Sequence, residues 1–292
     1  MKMNNFLTDN IRCAAIFSPA GKPDADALKC GISLLESCGI KVKVMPHAFG
    51  SSTPHPDYLA AADDERASDF MQAYLDEETD ILIASRGGYG CGRILERLDW
   101  QKLKSAKNKI VAGYSDLTAL FFAMARHNCG TPLASVMAAK LNDCSVCELQ
   151  SIYDACSGKK RSFELDVIKS GCASGSLIAG NLTVAASCAG TQYMPDMRGK
   201  ILFLEEVNED CYRVDRMLNQ LKLSNTLQQC SGVVSGYFSG CEKKAVREVF
   251  EYYSKFVNGP VLADFPYGHE LPFEAVKFGQ IAEINENRLS IQ

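Results

Sequence analysis

The chain has 292 residues, of which 47% are hydrophobic and 23% are charged, and its formal net charge is −4. This composition is typical of a globular protein large enough for two domains, and it argues against a nucleic-acid groove or a polybasic membrane patch. No apolar run approaches the ~18 residues of a membrane span, and Asp9 and Arg12 interrupt any signal-peptide core.

Strands and helices alternate over about the first 140 residues. Apolar strand patterns lie at residues 11–17, 40–46, 80–85 and 109–115, and helical patterns at 24–39, 63–78, 93–104 and 116–127. The alternation predicts a parallel sheet with helices on both faces, whose ligands bind at the carboxyl ends of the strands. The glycine loop 86–92 and Ser115 both follow such ends.

The pattern changes near residue 150, after which a linker-like stretch, CSGKKRS, is followed by shorter elements. Strand patterns lie at residues 200–206, 232–240, 259–269 and 275–285, and helical patterns at 212–222 and 242–256. We therefore predict two domains: an α/β domain over residues 1–150 and a mixed α and β domain over residues 151–292.

Thirteen cysteines are scattered along the chain, and their spacing gives no disulfide framework. Cys144 and Cys147 have CxxC spacing, but no second pair or flanking histidine completes a zinc site. We therefore expect no metal, and we expect free cysteines that pack as small apolar residues in a reducing cytoplasm.

Ser115 lies where a strand becomes a helix, in the stretch GYSD. One interpretation is a helix cap, because Ser115 or Asp116 can accept hydrogen bonds from free N–H groups. The other is a nucleophile elbow, in which the serine points away from the sheet beside N–H groups that stabilise an oxyanion. The pattern is not GxSxG, since Leu117 replaces the last glycine, and spacing leaves both interpretations open.

A nucleophilic serine needs a base, and the chain offers four histidines. His127 lies about three turns along the helix that Ser115 begins, so it cannot reach the serine. His47 and His55 flank a loop rich in serine and proline, where we expect them in solvent, although both stay candidates. His269 follows a strand and a glycine turn, a position that can present a side chain to a crevice or simply to solvent.

A histidine base is held in turn by a carboxylate. Within the strand pattern 200–206, the four apolar residues from Ile201 to Leu204 lead directly into Glu205 and Glu206. Successive strand residues face opposite sides, so only one of the two carboxylates can point at a given site, and the spacing does not choose between them.

The loop RGGYGCG lies between a strand and a helix, as a phosphate loop would. Arg93 breaks the GxGxxG pattern and no GK[ST] follows, but the backbone N–H groups could still bind an anion or a developing oxyanion. Cys91 offers another hypothesis, a Cys–His hydrolase of the glutamine amidotransferase kind, although the glycines expected at positions 89 and 93 are absent.

Five motifs, in one order, resemble the LD-carboxypeptidase family of serine peptidases, which includes muramoyl-tetrapeptide carboxypeptidases and microcin C immunity proteins. They are SRGGYGCGRIL, GYSDLTAL, GNL, LFLEEVNEDCYRVDRMLNQL and DFPYGHE, and the resemblance spans roughly residues 12–285. It implies a Rossmann-like parallel-sheet N-terminal domain and a smaller β-rich C-terminal domain, often assembled as a homodimer.

The resemblance also implies a catalytic triad. It gives the nucleophile's role to Ser115, the base's to His269 and the acid's to Glu205, while Glu206 stands where the family commonly has aspartate. The acid and base would come from the C-terminal domain. The expected site would then lie at the domain interface.

The implied oxyanion hole consists of the N–H groups of Gly88 and Asp116, with no metal or cofactor. The implied substrate is murein tetrapeptide, cut at the bond to its terminal D-Ala during cytoplasmic cell-wall recycling. Because this substrate carries a free carboxylate, we expect a cation in the pocket, with Arg86 and the neighbouring Tyr89 as candidates.

Two other functions are weighed against this one. A self-immunity hydrolase of a peptidyl nucleotide such as microcin C would share the triad and stack an aromatic side chain on the adenine. The single tryptophan, Trp100, follows the glycine loop on a helix, where we interpret it as a packing residue. A non-catalytic nucleotide-binding protein is disfavoured by the broken glycine fingerprints.

Overall fold

The computed structural model describes residues 6–8 and 10–292, and the chain divides into two units, residues 1–157 and 158–292. The signal-peptide prediction that involves Asp9 lies outside the described residues. Within the described part of the chain, every helix is too short or too polar to cross a membrane.

The N-terminal unit contains a parallel sheet flanked by helices. Its strands are β1 (Cys13–Phe17), β2 (Lys41–Val44), β3 (Ile81–Ala84), β4 (Ile110–Gly113) and β5 (Thr131–Ala134). They lie side by side in the order β2, β1, β3, β4, β5, and each neighbouring pair is parallel. The central strands β1 and β3 are buried along their whole length, which explains their continuous apolar sequences CAAIF and ILIA.

The helices of this unit follow the strands. They are α1 (Ala25–Ser37), α2 (Asp63–Leu75), α3 (Cys91–Ile94), α4 (Trp100–Ser105), α5 (Leu117–His127) and α6 (Val146–Ser157). The single helix predicted over residues 93–104 is wrong, because α3 and α4 are separate. Leu98 between them is extended, and the Asp99 side chain accepts a hydrogen bond from the N–H of Lys102, which starts a new helix.

The C-terminal unit is smaller and richer in strands. Its strands are β6 (Arg161–Glu164), β7 (Asp166–Lys169), β8 (Cys172–Asn181), β9 (Lys200–Glu206), β10 (Gly232–Phe238), β11 (Val261–Ala263), β12 (Val276–Lys277), β13 (Ile281–Asn285) and β14 (Arg288–Ile291). Its helices are α7 (Leu182–Cys188), α8 (Cys211–Leu223), α9 (Thr226–Gln229) and α10 (Lys243–Ser254).

Eight of these strands form one mixed sheet, in the order β6, β14, β13, β8, β9, β10, β11, β7. The four central strands β8 to β11 are mutually parallel, and the outer pairs are antiparallel. Strand β9 lies at the centre and is buried from Ile201 to Glu206. The parallel α/β sheet of the first unit and the strand-rich second unit confirm the predicted fold class.

A disulfide joins the start of α8 to a loop of the C-terminal unit. Cys211, the first residue of α8, is bonded to Cys241 in the loop before α10, and their Cα atoms are 5.4 Å apart. The expectation of free cysteines is therefore wrong for this pair. The spacing of the cysteines in the sequence does not predict this disulfide, because the two cysteines are 30 residues apart and are brought together by the pairing of β9 with β10.

Candidate active site

In the N-terminal unit, β1 lies between β2 and β3. The chain therefore continues from β1 to one side of the sheet and from β3 to the other, and the loops that follow these two neighbouring strands diverge. Such a reversal of strand order opens a crevice at the carboxyl edge of a parallel sheet. A cavity of about 510 Å³ lies at this edge, and Lys22, Arg86, Gly88 and Tyr89 are among its lining residues. Both cations of this set come from the two diverging loops.

The candidate nucleophile lies in the next loop along the sheet, between β4 and α5. Ser115 is half-buried and has a φ of 64°, a left-handed conformation that costs a non-glycine residue about 1–3 kcal/mol. Thr118 donates to the Ser115 carbonyl through its N–H at 2.9 Å and its hydroxyl at 2.7 Å. Asp116 makes no side-chain cap hydrogen bond to α5, so a capping role for that residue is wrong.

The glycine loop passes directly beside this turn. A Cβ atom added at Gly87 would lie 3.2 Å from the Ser115 Cβ and 3.4 Å from its Oγ, so the loop comes this close because position 87 has no side chain. The Gly87 carbonyl accepts a hydrogen bond from the N–H of Gly21, at 3.1 Å, which ties the glycine loop to the loop after β1. Gly88, whose N–H is a predicted oxyanion donor, follows with a φ of 112°.

In the C-terminal unit, the candidate base and acid are in contact. The His269 Nδ1 lies 2.8 Å from Oε2 of Glu205, a residue whose side chain is fully buried at the end of β9. Burial raises the pKa of the Glu205 carboxyl, and the hydrogen bond from His269 opposes that rise. A histidine that donates from Nδ1 has its basic lone pair on Nε2, which is the arrangement that a proton acceptor needs.

The neighbouring carboxylate, Glu206, faces the other side of β9. It accepts hydrogen bonds from Asn181 Nδ2 at 2.9 Å, from the Thr183 N–H at 2.7 Å and from the Val207 N–H at 2.9 Å. Two of these donors lie at the start of α7, so Glu206 stabilises that helix N-terminus. The GNL motif, whose role the sequence did not give, supplies Asn181, which also caps α7 through its contact with the Val184 N–H.

Gly268 allows the histidine loop to approach β9. Its φ is 139°, and a Cβ added there would lie 3.0 Å from Glu205 Oε2 and 3.3 Å from the Tyr237 Cβ. The loop is held alongside β10 by the hydrogen bond from the Tyr237 N–H to the Tyr267 carbonyl, at 2.8 Å. Glycine at position 268 is therefore required for the contact between His269 and Glu205.

The other candidates of the sequence lie elsewhere. His127 stacks on Trp100 with ring centroids 4.5 Å apart, and the indole N–H donates to the Leu95 carbonyl, so both rings have packing contacts. The expectation that His47 lies in solvent is wrong, because its Nδ1 is 2.9 Å from Asp69 Oδ1 and its side chain is only 28% exposed.

Cys91 is buried, and burial raises the pKa of its thiol, which disfavours the thiolate that a cysteine nucleophile requires. Over residues 6–8 and 10–292, no group of three or more histidine, cysteine, aspartate or glutamate side chains is arranged to hold a metal ion.

Comparison with known families accounts for both units. The LD-carboxypeptidase N-terminal domain matches residues 14–134, and the LD-carboxypeptidase C-terminal domain matches residues 174–284. A probable murein peptide carboxypeptidase of Bacillus subtilis (strain 168) is 32% identical over 290 residues, which cover 92% of this chain and 88% of that protein. The murein tetrapeptide carboxypeptidase of Pseudomonas aeruginosa is 30% identical over 295 residues, 94% of each chain.

Solved structures agree with the fold. The crystal structure of muramoyltetrapeptide carboxypeptidase from Oxalobacter formigenes aligns with a TM-score of 0.84 and 28% identity, covering 96% of this chain and 98% of that one. The microcin C7 self immunity protein MccF, in its wild-type apo state, aligns with a TM-score of 0.86 and 19% identity, covering 99% and 98%. At that identity the second likeness concerns the fold alone.

These matches define the class of protein as a peptidase, and hence a hydrolase. The chain belongs to the LD-carboxypeptidase family of serine peptidases. The resemblance read from the five sequence motifs and the prediction of an enzyme are both confirmed, which disfavours the non-catalytic nucleotide-binding alternative.

Proposed function

We propose that this protein is a carboxypeptidase of murein tetrapeptide, which hydrolyses the bond between the L-centre of the diamino acid and the terminal D-Ala. The observation that carries the proposal is the contact between His269 Nδ1 and the buried Glu205, in a chain whose relatives are named murein peptide carboxypeptidases. The strained turn at Ser115, beside a glycine loop, supports the choice of nucleophile.

In the first step, His269 Nε2 takes the proton of the Ser115 hydroxyl as the oxygen attacks the scissile carbonyl carbon. Glu205 keeps the imidazole in the tautomer that presents Nε2 as the base and stabilises the imidazolium that forms. The tetrahedral intermediate then collapses, and the imidazolium gives its proton to the leaving nitrogen of D-Ala. The product of this step is an ester between Ser115 and the tripeptide.

In the second step, a water molecule attacks the ester while His269 takes one of its protons. Collapse of the second tetrahedral intermediate returns the proton to Ser115 and releases the tripeptide as a carboxylate. Both intermediates carry an oxyanion, for which we propose the N–H groups of Gly88 and Asp116 as donors. One such donor is worth about 2.7–4 kcal/mol of activation free energy in comparable sites.

The terminal carboxylate of the substrate requires a positive partner, and we propose Arg86 for that role. Its exposed side chain lines the cavity at the carboxyl edge of the N-terminal sheet, on the same loop as Gly88, and its Nη1 is held by the Lys22 carbonyl at 3.2 Å. Tyr89 is 56% exposed and its ring lies 5.9 Å from that of Tyr58, so an aromatic wall borders the same cavity. We expect Arg86→Gln to raise KM for tetrapeptide more than it lowers kcat.

The proposal also includes the organisation and the setting of the enzyme. Residues 1–150 would supply the nucleophile and residues 151–292 the acid and base, in a cytoplasmic homodimer that recycles cell-wall peptides. Light scattering of the purified protein tests the dimer, and fractionation of cells that express it tests the location.

Hydrolysis of a peptidyl nucleotide of the microcin C type is the second candidate function, and the likeness to MccF in fold favours it. One solved structure of that protein is a complex with aspartyl sulfamoyl adenosine. The two functions share a triad and differ in the leaving group, so the same preparation can be offered both substrates. Cleavage of aspartyl sulfamoyl adenosine in preference to tetrapeptide would favour the second function.

The deciding experiment is incubation with two tetrapeptides that end in D-Ala or in L-Ala, followed by mass analysis. We expect loss of D-Ala alone. Ser115→Ala should keep the fold and lower turnover by about 10⁴-fold or more, as in other triads. Near-normal turnover in a variant with an intact circular dichroism spectrum would remove Ser115 from the mechanism.

A further inference from the structure

The side chain of Asp116 has a partner far from its own helix. Only 5% of the residue is exposed, and its Oδ2 accepts a hydrogen bond of 2.7 Å from the N–H of Cys91, which precedes it by 25 residues. Burial raises the pKa of this carboxyl, while hydrogen bonds from the Cys91 and Gly90 N–H groups oppose the rise. Burial of a carboxylate is costly unless the group is hydrogen-bonded, so these contacts stabilise Asp116 in its buried position.

The peptide between Gly90 and Cys91, whose N–H binds Asp116, is also bound at its carbonyl oxygen. Arg66 of α2 is fully buried, and its Nη1 donates to the Gly90 carbonyl at 2.9 Å and also to the Pro19 carbonyl. The Gly90 carbonyl and the Cys91 N–H belong to one peptide plane. The Arg66 guanidinium therefore donates to the oxygen of this plane, and the Asp116 carboxyl accepts from its N–H, which fixes the orientation of the plane.

The residues around this peptide need such a constraint. Gly88 has a φ of 112° and Gly90 a φ of 139°, and glycines in this region reorient easily because no Cβ restricts them. The Gly88 N–H belongs to an earlier peptide of the same loop, so a loop that is not anchored at the Gly90–Cys91 peptide could move and carry the Gly88 N–H with it. The loop lies against Ser115 through Gly87, so any such change occurs beside the nucleophile.

We propose that Asp116 and Arg66 are positioning residues that clamp the Gly90–Cys91 peptide and so aim the Gly88 N–H at the developing oxyanion. The inference rests on the proposed function for the identity of the reaction. Asp116 would then contribute twice: its own N–H is one proposed oxyanion donor, and its carboxylate holds the loop that supplies the other. Asp116 would thereby link the positions of the two donors.

The test compares Asp116→Ala and Asp116→Asn with a matched control, Asp69→Ala. Asp69 is also buried, on α2, and its Oδ2 also accepts from a backbone N–H, that of His47 at 2.9 Å, but it holds a different loop. We expect kcat to fall about 100-fold in Asp116→Ala and about 10-fold in Asp116→Asn, whose amide keeps one acceptor. KM should change less than about 3-fold, and Asp69→Ala should keep its kcat even where its melting temperature falls as far.

Two further measurements distinguish an effect of Asp116 on the position of the glycine loop from an effect on overall stability alone. Hydrogen exchange of the amides at residues 88–91 should be at least about 10-fold faster in Asp116→Ala than in the wild type, and unchanged in Asp69→Ala. The rate at which a fluorophosphonate labels Ser115 should fall with kcat. Normal kcat and a normal labelling rate in both Asp116 variants would overturn the inference, and if the alanine variant does not fold, the asparagine variant alone decides.

The outcome stays informative when the substrate assignment fails. If the wild-type protein does not cleave tetrapeptide, the fluorophosphonate reaction still reports on the serine and on oxyanion stabilisation. A slower reaction in Asp116→Ala, with a wild-type rate in Asp69→Ala, would then retain the clamp and reject the substrate. Equal rates in all three proteins would reject the clamp.

Discussion

The two adjacent carboxylates of β9 allow a test of which one acts as the catalytic acid, because they bind different partners but are buried to almost the same extent. Glu205 is 0% exposed and contacts His269, whereas Glu206 is 4% exposed and binds the start of α7. The substitutions Glu205→Gln and Glu206→Gln each replace a carboxylate by an amide of nearly the same shape. We expect the first to lower catalysis with little loss of stability, and the second to do the reverse.

The magnitudes follow from the contacts. An amide at position 205 no longer fixes the imidazole tautomer, and the equivalent change in other triads lowers kcat about 10⁴-fold, or about 5.4 kcal/mol. Since burial raises the pKa of Glu205, the ionised form is disfavoured by the fold, and its neutral replacement should lower the free energy of unfolding less than Glu206→Gln does.

An amide at position 206 can keep the bonds from Asn181 and Val207 to its oxygen, but its NH₂ group would face the Thr183 N–H. The loss of one hydrogen bond to a charged acceptor costs about 1.5–3 kcal/mol. For a chain of 292 residues, the melting temperature should fall by about 2–5 °C, with kcat within about 3-fold of the wild type.

The assay measures release of D-Ala from tetrapeptide under single-turnover conditions, together with thermal unfolding of each variant. If tetrapeptide is not cleaved, the rate of serine labelling by a fluorophosphonate takes its place. A Glu205→Gln enzyme within 10-fold of the wild type would refute the assignment of the acid. A 1,000-fold loss of kcat in Glu206→Gln alone would exchange the two roles.

Three further outcomes are expected from single substitutions. Gly268→Ala places a methyl group about 3 Å from Glu205 Oε2 at a positive φ, so we expect the free energy of unfolding to fall by about 2–4 kcal/mol and kcat to fall as well. An unchanged kcat would show that the histidine loop tolerates displacement. Gly87→Ala crowds the Ser115 hydroxyl, and a shift of a few tenths of an ångström should lower kcat about 10-fold with little change in melting temperature, measured on the same preparation. Asp63 loses its ion pairs in acid: burial raises its pKa, but hydrogen bonds from arginines outweigh burial and lower the pKa below the ordinary 3.8. The contribution of Asp63 to stability is therefore present above pH 3.8 and is lost as pH falls through the lowered value. Asp63→Asn should be about 3–5 kcal/mol less stable than the wild type at pH 7, and a stability difference that does not shrink on acidification would contradict this.

The parts of the fold that could be predicted from the sequence are those with strong local signals. The strands β1 and β3 are continuous apolar runs, and β9 contains one from Ile201 to Leu204, because both faces of a central parallel strand are buried. The turn at Ser115 could be located by the change from a strand pattern to a helix pattern. The order of the five family motifs then gave the identities of the candidate site residues.

The remainder depends on contacts between distant residues. The side of β9 on which each carboxylate lies is set by where the strand sits in its sheet, and local spacing contains no such information. The break between α3 and α4 depends on a single extended residue, Leu98, in a pattern that otherwise has helical period. The partner of the Asp116 carboxylate is a backbone N–H, which leaves no trace in the amino-acid types.

The bond between Cys211 and Cys241 closes a covalent ring around α8, α9 and the whole of β10. A protease that cuts the chain once within residues 212–240 would therefore produce two fragments that migrate together on a gel until a reductant is added. After such a cut, the disulfide would still hold the start of α8 and the loop before α10 together, next to the strand that bears Glu205.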